Sequence, residues 1–587
     1  MNKQECDILN ALKRKLYKNQ RDLAENSGHS LGVVNRSVKS LIQKEFIDEE
    51  MNLTEKAIKY FETTNPKRAI ILAAGFGMRM VPINTEAPKG LLEIDGEPLV
   101  ERLIKQLHDV GITEIYVVVG FMKEKYEYLI DEYDVELVVN SEYASKNNIH
   151  SLKRVLKHIS NTYIVPSDIW CARNPFKENE LYSWYMVSDE ICNESSVRIN
   201  RKEELVVVPE DVDGNTMIGI SYLIEEDAKV VRERLQELCA DSRNDDAFWE
   251  ETLYENDKMI IAANVVRASE VIEINTYEQL RELDGDSKHL QNEAMAILMK
   301  HMNVNEDEIT NITVLKKGMT NRSFLFTVNN QKYIMRVPGE GTEKLINRAE
   351  EATVYSVIKN EKISDKVIFI DSQKGYKITE YWENARCCDL ENEEDLQKCM
   401  MKLREVHGKE LKVEHEFNIF EKIEFYESLW NGKESVYRDY LNTKKNVYAL
   451  SSYIDEHVEK KVLTHMDAVP DNFLLVNNLD EEEVRLIDWE YAGMQDPHVD
   501  IAMFCIYALY DRNQVERLID IYFEGNCTHA NRVKIYCYIA ACGLLWSNWC
   551  EYKRNLGVEF GEYSLRQYRY AKDYYKIAIK EMEAMEV

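Results

Sequence analysis

The sequence contains no long apolar run, no paired cysteine motif and no excess of basic residues. No stretch reaches the roughly 18 apolar residues that would span a bilayer, and the first 20 residues are polar and charged. We therefore expect neither membrane insertion nor a signal peptide. The 12 cysteines include no Cys-x-x-Cys pair, and the adjacent Cys387 and Cys388 suit neither a zinc site nor a disulfide framework. Reduced thiols in a cytoplasmic protein are expected.

The chain is strongly acidic, with 104 Asp and Glu residues against 74 Lys and Arg and a net charge of −30. Such a chain is, as a whole, a poor partner for nucleic acid or an anionic membrane, and it must concentrate its cations wherever it binds phosphate. Its 587 residues exceed what one hydrophobic core can serve, so two to four domains are expected. Composition leaves open whether the chain forms a homo-oligomer.

Residues 1–64 have the pattern of a small helical module. A helix, a turn containing Gly28 and a second helix from about Leu31 precede a short strand, which resembles a winged helix-turn-helix module. The resemblance implies DNA contacts from Arg36 and Lys39. The module holds eleven Lys and Arg against ten Asp and Glu, which is weak for a DNA-binding domain. Residues 63–66 are predicted to be a linker, and we expect the module to be dispensable for the activities of the remaining chain.

Two larger domains are predicted beyond this linker. Residues 67–284 alternate strands with helices, which is typical of an α/β domain with a covered, largely parallel sheet. Residues 284–287 are a second predicted linker. Residues 290–587 begin with strands and continue mainly as helices, which predicts an α+β domain.

A glycine-rich loop follows the first strand of the middle domain. Glycines let backbone amides approach a phosphate closely, and cations follow. The string LAAGFGMRMVPINTEAPKGLLEIDGEPL resembles the nucleotidyltransferases that make nucleotide-sugars and CDP-alcohols. The resemblance implies a Rossmann-like mixed sheet and a nucleotide cradle of Ala73, Gly75, Gly77 and Arg79. It also implies that Lys89 is catalytic and stabilises charge at the α-phosphate.

Carboxylates that could hold Mg²⁺ follow two later strands of the same domain. Asp168 matches the family's first metal ligand. Asn275 stands where the family's second carboxylate is expected. Either Glu273 supplies that carboxylate, or Asn275 coordinates the metal through its neutral oxygen.

Residues 139–152 resemble the bacterial CTP:phosphocholine cytidylyltransferases in particular. A quaternary ammonium cannot donate ordinary hydrogen bonds, so its pocket needs aromatic faces and a carboxylate. Trp184 and Trp249 are the predicted walls, and Glu250, or alternatively Asp246, is the predicted charge. Tyr182 and Tyr185 are further aromatic candidates.

The last domain carries a phosphotransferase pattern. Asp467 is followed five residues later by Asn472, and Asp488 follows an apolar strand. This spacing suits a base, Asp467, beside two Mg²⁺ ligands, Asn472 and Asp488. The pattern resembles choline and ethanolamine kinases, which implies the protein-kinase-like fold that aminoglycoside phosphotransferases share.

Other parts of this domain extend the resemblance. Residues 317–324 could cover the ATP phosphates, and Arg336 takes the place of the lysine of protein kinases. Glu351, or its neighbour Glu350, would orient that arginine. The C-terminal helices resemble the choline-binding region of choline kinases, with candidates Trp546, Trp549 and Tyr563.

Together, the resemblances imply a bifunctional enzyme that uses ATP to phosphorylate choline and CTP to convert phosphocholine into CDP-choline, with Mg²⁺ in both sites. Three alternatives stay open. The substrate could be ethanolamine or another amino-alcohol, or the chain could join a sugar-nucleotide pyrophosphorylase to a small-molecule kinase. It could also be a transcription regulator whose enzyme-like domains only sense ligands.

Overall fold

The computed structural model describes residues 1–586 except 78–79, 84–86, 194, 210, 288, 291, 316–320, 340–344, 479–480 and 556–559. The chain divides into two compact units. One comprises Met1–Ala296 with Ile312–Val314, and the other comprises Ile297–Asn311 with Leu315–Val587. Among the described helices, none combines the length and apolar character needed to cross a bilayer.

The N-terminal module consists of four helices and one short β-bridge. Side-chain caps define where its helices begin, since Asn2, Asn19, Ser30 and Thr54 each accept a hydrogen bond from the first turn. The bridge joins Ile47 to Leu53. The helices are α1 (Lys3–Arg14), α2 (Gln20–Ser27), α3 (Leu31–Gln43) and α4 (Glu55–Thr64). This is the predicted winged helix-turn-helix arrangement.

The module shares its hydrophobic core with the domain that follows it. Leu181 of the middle domain is 1% exposed and belongs to the module's core. The carbonyl oxygen of Leu181 accepts a hydrogen bond from the Tyr60 hydroxyl at 3.2 Å. In the predicted linker, Thr63 and Thr64 offer their carbonyl oxygens to Asn161 and Tyr222. Residues 63–64 are therefore held against the middle domain and are not a free tether.

The middle domain is built on a mixed sheet in the order β5-β4-β1-β6-β11-β8-β13-β10-β9, with β12 paired to β13. Its strands and helices are β1 (Arg68–Ala73), β2 (Glu93–Ile94), β3 (Glu97–Pro98), α5 (Leu99–Asp109), β4 (Glu114–Val119), α6 (Tyr128–Tyr133), β5 (Glu136–Val139), α7 (Asn148–Arg154), β6 (Thr162–Pro166), β7 (Ile169–Cys171), β8 (Trp184–Cys192), β9 (Val197–Ile199), β10 (Glu204–Val207), β11 (Gly214–Leu223), α8 (Glu225–Leu238), β12 (Tyr254–Glu255), β13 (Lys258–Val266), β14 (Val271–Glu273) and α9 (Tyr277–Leu283).

Strand direction in this sheet explains where a site can form. The strands β5, β4, β1 and β6 run parallel, so their carboxyl ends meet at one edge. The strand β11 pairs antiparallel with β6 and β8, which makes the sheet mixed. Separate apolar clusters cover its two faces. The predicted α/β fold with a Rossmann-like mixed sheet is confirmed.

The C-terminal domain has one helix, Glu293–Met302, before its strands, which the sequence did not predict, and then continues from strands to helices as predicted. The strands β16, β17, β19 and β18 pair antiparallel in that order. The elements are α10 (Glu293–Met302), β15 (Thr310–Val314), β16 (Asn321–Val328), β17 (Gln331–Pro338), α11 (Arg348–Ile358), β18 (Val367–Ile370), β19 (Lys377–Glu380), β20 (Ala385–Cys387), α12 (Glu393–Gly408), α13 (Ile419–Ser428), α14 (Tyr440–Tyr448), α15 (Ser451–His457), β21 (Val462–Thr464), β22 (Phe473–Asn478), β23 (Glu481–Leu486), β24 (Gly493–Gln495), α16 (Val499–Tyr507), α17 (Arg512–Phe523), α18 (His529–Asn555) and α19 (Glu562–Glu586).

The long helix α18 lies at the centre of the helical part. It is buried along most of its length and contacts α13, α16 and α19. Gly543 permits close packing, because a Cβ there would lie 2.7 Å from the carbonyl oxygen of Gln567 on α19. The arrangement of an antiparallel sheet followed by a helical core confirms the predicted α+β, kinase-like fold.

Candidate active sites

The glycine-rich loop after β1 brings the backbone close to Lys89. Gly77 has a left-handed backbone (φ +60°), and a Cβ there would lie 2.6 Å from Cγ of Lys89. A larger residue would therefore displace the lysine stem. Ala73 ends β1 and Gly75 follows it, whereas the predicted Arg79 lies outside the described residues.

Lys89 joins two of the predicted metal ligands. Its Nζ donates to Oδ2 of Asp168 at 3.0 Å and to Oδ1 of Asn275 at 2.6 Å. Asp168 follows β6 and Asn275 follows β14, and the backbone N–H of Ile274 donates to the Asp168 carbonyl at 2.9 Å. One ammonium, one carboxylate and one amide oxygen thus converge from segments 186 residues apart.

A second acidic group lies in the same domain. The hydroxyl of Tyr185 donates to Oε1 of Glu250 at 3.0 Å, and Oε2 of Glu250 is buried with no hydrogen-bond partner among the described residues. Burial raises the pKa of Glu250 to about 7, and the charge of Glu273 acts in the same direction. A buried carboxyl that lacks a cation is suited to bind one.

The 242–250 segment that carries Glu250 is held by two neighbouring asparagines. Nδ2 of Asn147 donates to the carbonyl of Asp246 at 2.9 Å. The backbone N–H of Trp249 donates to Oδ1 of Asn148 at 2.7 Å. The asparagines of the 139–152 segment therefore position the loop that bears the carboxylate.

In the C-terminal domain, Asp467 and Asn472 are in direct contact. Nδ2 of Asn472 donates to the carbonyl oxygen of Asp467 at 2.9 Å and lies 3.3 Å from its Oδ2. The preceding residue, Met466, has a left-handed backbone (φ 63°). Asp500 holds this turn by accepting hydrogen bonds from the backbone N–H groups of His465 and Met466.

Two arginines and three carboxylates form a charged network beside this turn. Arg336 makes a bidentate pair with Glu351, at 2.6 and 2.9 Å, and its Nη1 lies 3.7 Å from Asp488. Arg348 also contacts Glu351 and lies 3.3 Å from Oε2 of Glu490. Oxygens of Glu351, Asp488 and Glu490 lie within 4.8 Å of one another, which is close enough to share a metal ion.

Burial and the neighbouring charged groups determine whether Asp467 and Glu351 are protonated. Burial raises the pKa of Asp467 to about 8, and Asp488 and Glu490 add to the effect because like charges disfavour ionisation. Burial also raises the pKa of Glu351, but Arg336 outweighs it and lowers that pKa to about 2. Glu351 is therefore the ionised partner of the arginines, while Asp467 is poised to exchange a proton.

Aromatic rings cluster in the same domain. The rings of Trp546 and Trp549 are 5.6 Å apart at 70°, and Tyr491 lies 5.6 Å from Trp546 at 87°. Phe560 lies 5.2 Å from Trp549. Tyr563 is partly buried and its ring lies 6.0 Å from that of Tyr507; burial raises the pKa of Tyr563, and the charge of Asp467 acts in the same direction. Aromatic faces can bind a cation, and the choline-binding role of Trp546, Trp549 and Tyr563 stays a prediction.

Three family models match successive parts of the chain. Residues 1–48 match winged helix-turn-helix DNA-binding proteins, residues 69–176 match the MobA-like NTP transferase domain, and residues 312–538 match choline/ethanolamine kinases.

Similar proteins cover the two larger domains. A choline-phosphate cytidylyltransferase of Streptococcus pneumoniae is 28% identical over 221 residues, which are 37% of this chain and 96% of that protein. A 2-aminoethylphosphonate cytidylyltransferase of Lancefieldella rimae is 29% identical over 239 residues, covering 38% and 93%. The crystal structure of choline kinase LicA from Streptococcus pneumoniae is 29% identical and covers 48% of this chain and 98% of that one, with a TM-score of 0.43.

The chain is a fusion of a winged helix-turn-helix module, a nucleotidyltransferase domain and a choline kinase-like domain. In the kinase domain the structure brings Asp467, Asn472 and Asp488 near Arg336 and Glu351. In the transferase domain it brings Lys89, Asp168 and Asn275 together, whereas Glu273 lies on β14 two residues earlier. The roles of these residues stay predictions.

The two predicted aromatic walls of the transferase pocket lie on opposite faces of the sheet. Trp184 and Trp249 are each 1% exposed, and they belong to the apolar clusters on opposite faces of the sheet. Tyr185 is as buried as these two rings and lies in the same cluster as Trp249, with the two ring centroids 6.3 Å apart. Its hydroxyl contacts Glu250, so Tyr185 and Trp249 stay candidates for the pocket wall, whereas Trp184 lies on the other face of the sheet.

Three groups with evident roles were not predicted from the sequence. Asp500 holds the Asp467 turn, and His407 in turn contacts Asp500 at 3.0 Å. Glu490 joins the arginine network. Only Glu490 offered a signal, since it lies two residues after the predicted ligand Asp488.

Proposed function

We propose that this chain makes CDP-choline in two steps, one in each larger domain. The observation that carries the proposal is the kinase site, in which Asn472 contacts Asp467 and Asp488 lies 3.7 Å from the arginine that pairs with Glu351. The transferase site then supplies the reaction that consumes the product. We further propose a cytoplasmic location, where ATP and CTP are available.

In the first step, the hydroxyl oxygen of choline attacks the γ-phosphorus of ATP. Asp467 accepts the hydroxyl proton, the bond from the γ-phosphorus to the β,γ-bridging oxygen breaks, and ADP leaves. Asn472 and Asp488 are the oxygen ligands that would hold Mg²⁺, which neutralises phosphate charge when bound. Cations that enter this site lower the pKa of Asp467 and favour its basic form.

In the second step, a phosphate oxygen of phosphocholine attacks the α-phosphorus of CTP. The bond from the α-phosphorus to the α,β-bridging oxygen breaks, and pyrophosphate leaves. Lys89 stabilises the charge that develops on the α-phosphate oxygens. Asp168 and Asn275 would hold Mg²⁺, which suits their carboxylate and amide oxygens. Gly77 allows Lys89 to lie against the nucleotide loop.

Glu250 and Tyr185 are the proposed head-group site of the transferase. The unpartnered Oε2 of Glu250 would face the trimethylammonium, and the ring of Tyr185 would contact its methyl groups. A primary ammonium would leave N–H donors unsatisfied against such a ring, at a cost of about 1–3 kcal/mol. A preference of about tenfold to hundredfold for phosphocholine over phosphoethanolamine follows.

Purified protein tested with choline, ATP, CTP and Mg²⁺, omitting one component at a time, checks the proposal. Phosphocholine should accumulate without CTP, and supplied phosphocholine should remove the need for ATP. The values of kcat/KM for phosphocholine, phosphoethanolamine and 2-aminoethylphosphonate then rank the head groups. Equal values, or coupling of a sugar phosphate instead, would refute the choline assignment.

DNA binding by the module is a second candidate function. Arg36 and Lys39 lie exposed on α3, while Val34, Val38 and Leu41 are buried. The described side-chain contacts of the module with the transferase domain come from α1 and α4, which does not cover this face. Selection from a random duplex pool tests the idea. Enrichment should be lost in Arg36→Ala and kept in Glu50→Ala, and no enrichment at all would refute it.

A further inference from the structure

Helix α18 carries a buried lysine within the aromatic cluster of the kinase domain. Lys553 lies one helical turn after Trp549, and its Nζ is over the Trp549 ring, 5.6 Å from the centroid. Lys553 is 8% exposed and Trp549 is 2% exposed. This distance is within the range of a cation–π interaction. The chain therefore places one of its own cations where the predicted site would bind a substrate cation.

A second lysine of the same helix shows what a neutralised buried ammonium looks like. Lys534 is 1% exposed, and its Nζ lies 2.6 Å from Asp496 and donates to the carbonyl of His457 at 2.8 Å. Lys553 has no carboxylate within 4 Å among the described residues. Burial lowers the pKa of Lys553, and the charge of Glu490 only partly opposes this effect. Among the described residues, the ring of Trp549 is thus the main partner of the Lys553 ammonium.

We propose that Lys553 sets the affinity of the kinase for its cationic substrate, because its ammonium lies over the ring of Trp549, one of the predicted choline-binding residues. Two cations cannot share one ring face without repulsion. A quaternary ammonium must therefore displace the Lys553 side chain before it can bind. This inference rests on the proposed choline kinase function.

The burial of the ring supports displacement over simple side-by-side binding. Trp549 is almost fully buried, and the ring centroids of Phe560 and Trp546 lie 5.2 and 5.6 Å from its own. A ligand that reaches the ring must replace a group that now touches it. Of these groups, Lys553 alone is flexible, charged and able to move its end into water.

The test compares Lys553→Met with Lys553→Arg. Methionine keeps an unbranched side chain and removes the charge, so the KM for choline should fall about threefold to tenfold, which matches a cation–π interaction of typical strength. The KM for ATP should stay as it is. Lys553→Arg keeps the cation and should remain close to the wild type.

A matched control uses a lysine outside the cluster. Lys572 lies 5.7 Å from the Tyr568 ring but is paired with Asp439. Lys572→Met should leave the KM for choline unchanged. Thermal unfolding of each variant checks that the fold is kept. An unchanged or higher KM for choline in Lys553→Met would overturn the inference.

Binding of tetramethylammonium, followed by tryptophan fluorescence, separates this inference from the proposed function. Lys553→Met should bind tetramethylammonium more tightly than the wild type whether or not choline is phosphorylated. If choline is no substrate but the variant still binds the probe more tightly, only the proposed function fails. Equal binding by the two proteins would refute the role of Lys553.

Discussion

In the kinase domain, two arginines are surrounded by a surplus of carboxylates, whereas in the transferase domain one lysine lies between a single carboxylate and an amide. The surplus raises the pKa of Asp467 and leaves the kinase site in need of cations from outside. Lys89 already neutralises Asp168. The difference agrees with the proposed substrates. In the proposed reactions, the kinase would receive a cationic alcohol, while the transferase would bring two polyanions together.

The largest effect that tests this comparison is expected from Asp467→Ala. Loss of a general base typically lowers the rate by about 10²- to 10⁴-fold, so choline phosphorylation should nearly cease. The same protein should still couple supplied phosphocholine to CTP, which is its internal control. Turnover of choline near the wild-type rate would show that Asp467 is not the base.

Lys89→Ala tests the other side of the comparison. Removing a charge partner of the transition state should lower CDP-choline formation by about 10²-fold or more, with kinase activity kept. Lys123→Ala is the matched control, since Lys123 is a partly exposed lysine that pairs with Glu124. A parallel fall of both activities would mean that the two sites are not independent.

The two sites also differ in how much of them the sequence could predict. The kinase ligands lie in one short stretch, so the spacing of Asp467 and Asn472 already implied contact. Asp500, which holds that stretch, lies on the following helix. No local sequence pattern predicts that a side chain will accept hydrogen bonds from backbone N–H groups elsewhere. In the transferase domain, contact between Lys89 and Asn275 depends on a fold that joins residues 186 apart.

Burial was the harder property to predict. Trp184 lies on a strand whose first residues are buried on both faces, because the mixed sheet is covered on each side. Composition cannot distinguish such a residue from a pocket wall. The burial of Leu181 was equally hard to predict, since nothing in the sequence around it indicates that it packs against the N-terminal module.

Removal of residues 1–64 should affect the two enzyme domains unequally. The kinase should keep its activity, while the transferase should lose stability because Leu181 and Tyr182 would be exposed to water. The sequence alone suggested that the module is dispensable, and the shared core changes that expectation for the transferase.

Leu181→Ala in the full chain gives the same test without a truncation. A buried Leu→Ala change typically lowers the free energy of unfolding by about 2–5 kcal/mol. Leu441→Ala is the control, since Leu441 is 78% exposed. Full thermal stability and full transferase activity in the chain that lacks residues 1–64 would show that the contact of Leu181 with the N-terminal module does not stabilise the transferase domain.

The smallest expected effect concerns pH and Glu250. Because the pKa of Glu250 is about 7, raised from 4.5, the folded group ionises mainly between pH 6 and 8. A cationic head group prefers the carboxylate, so the kcat/KM for phosphocholine should rise up to about tenfold across this range. The phosphate of the substrate also titrates near pH 6, so the wild-type profile alone would not identify Glu250.

Glu250→Gln separates the two titrations. The variant should keep the rise due to the substrate phosphate and lose the rise near pH 7. Stability gives a second check of sign. A carboxyl whose folded pKa lies above its unfolded value loses stabilisation as pH rises from about 4.5 to 7, since the unfolded chain ionises first. The variant should therefore be at least as stable as the wild type at pH 8. If Glu250→Gln kept the full rise near pH 7, Glu250 would not be the carboxylate of the head-group site, and another residue would have to supply that charge.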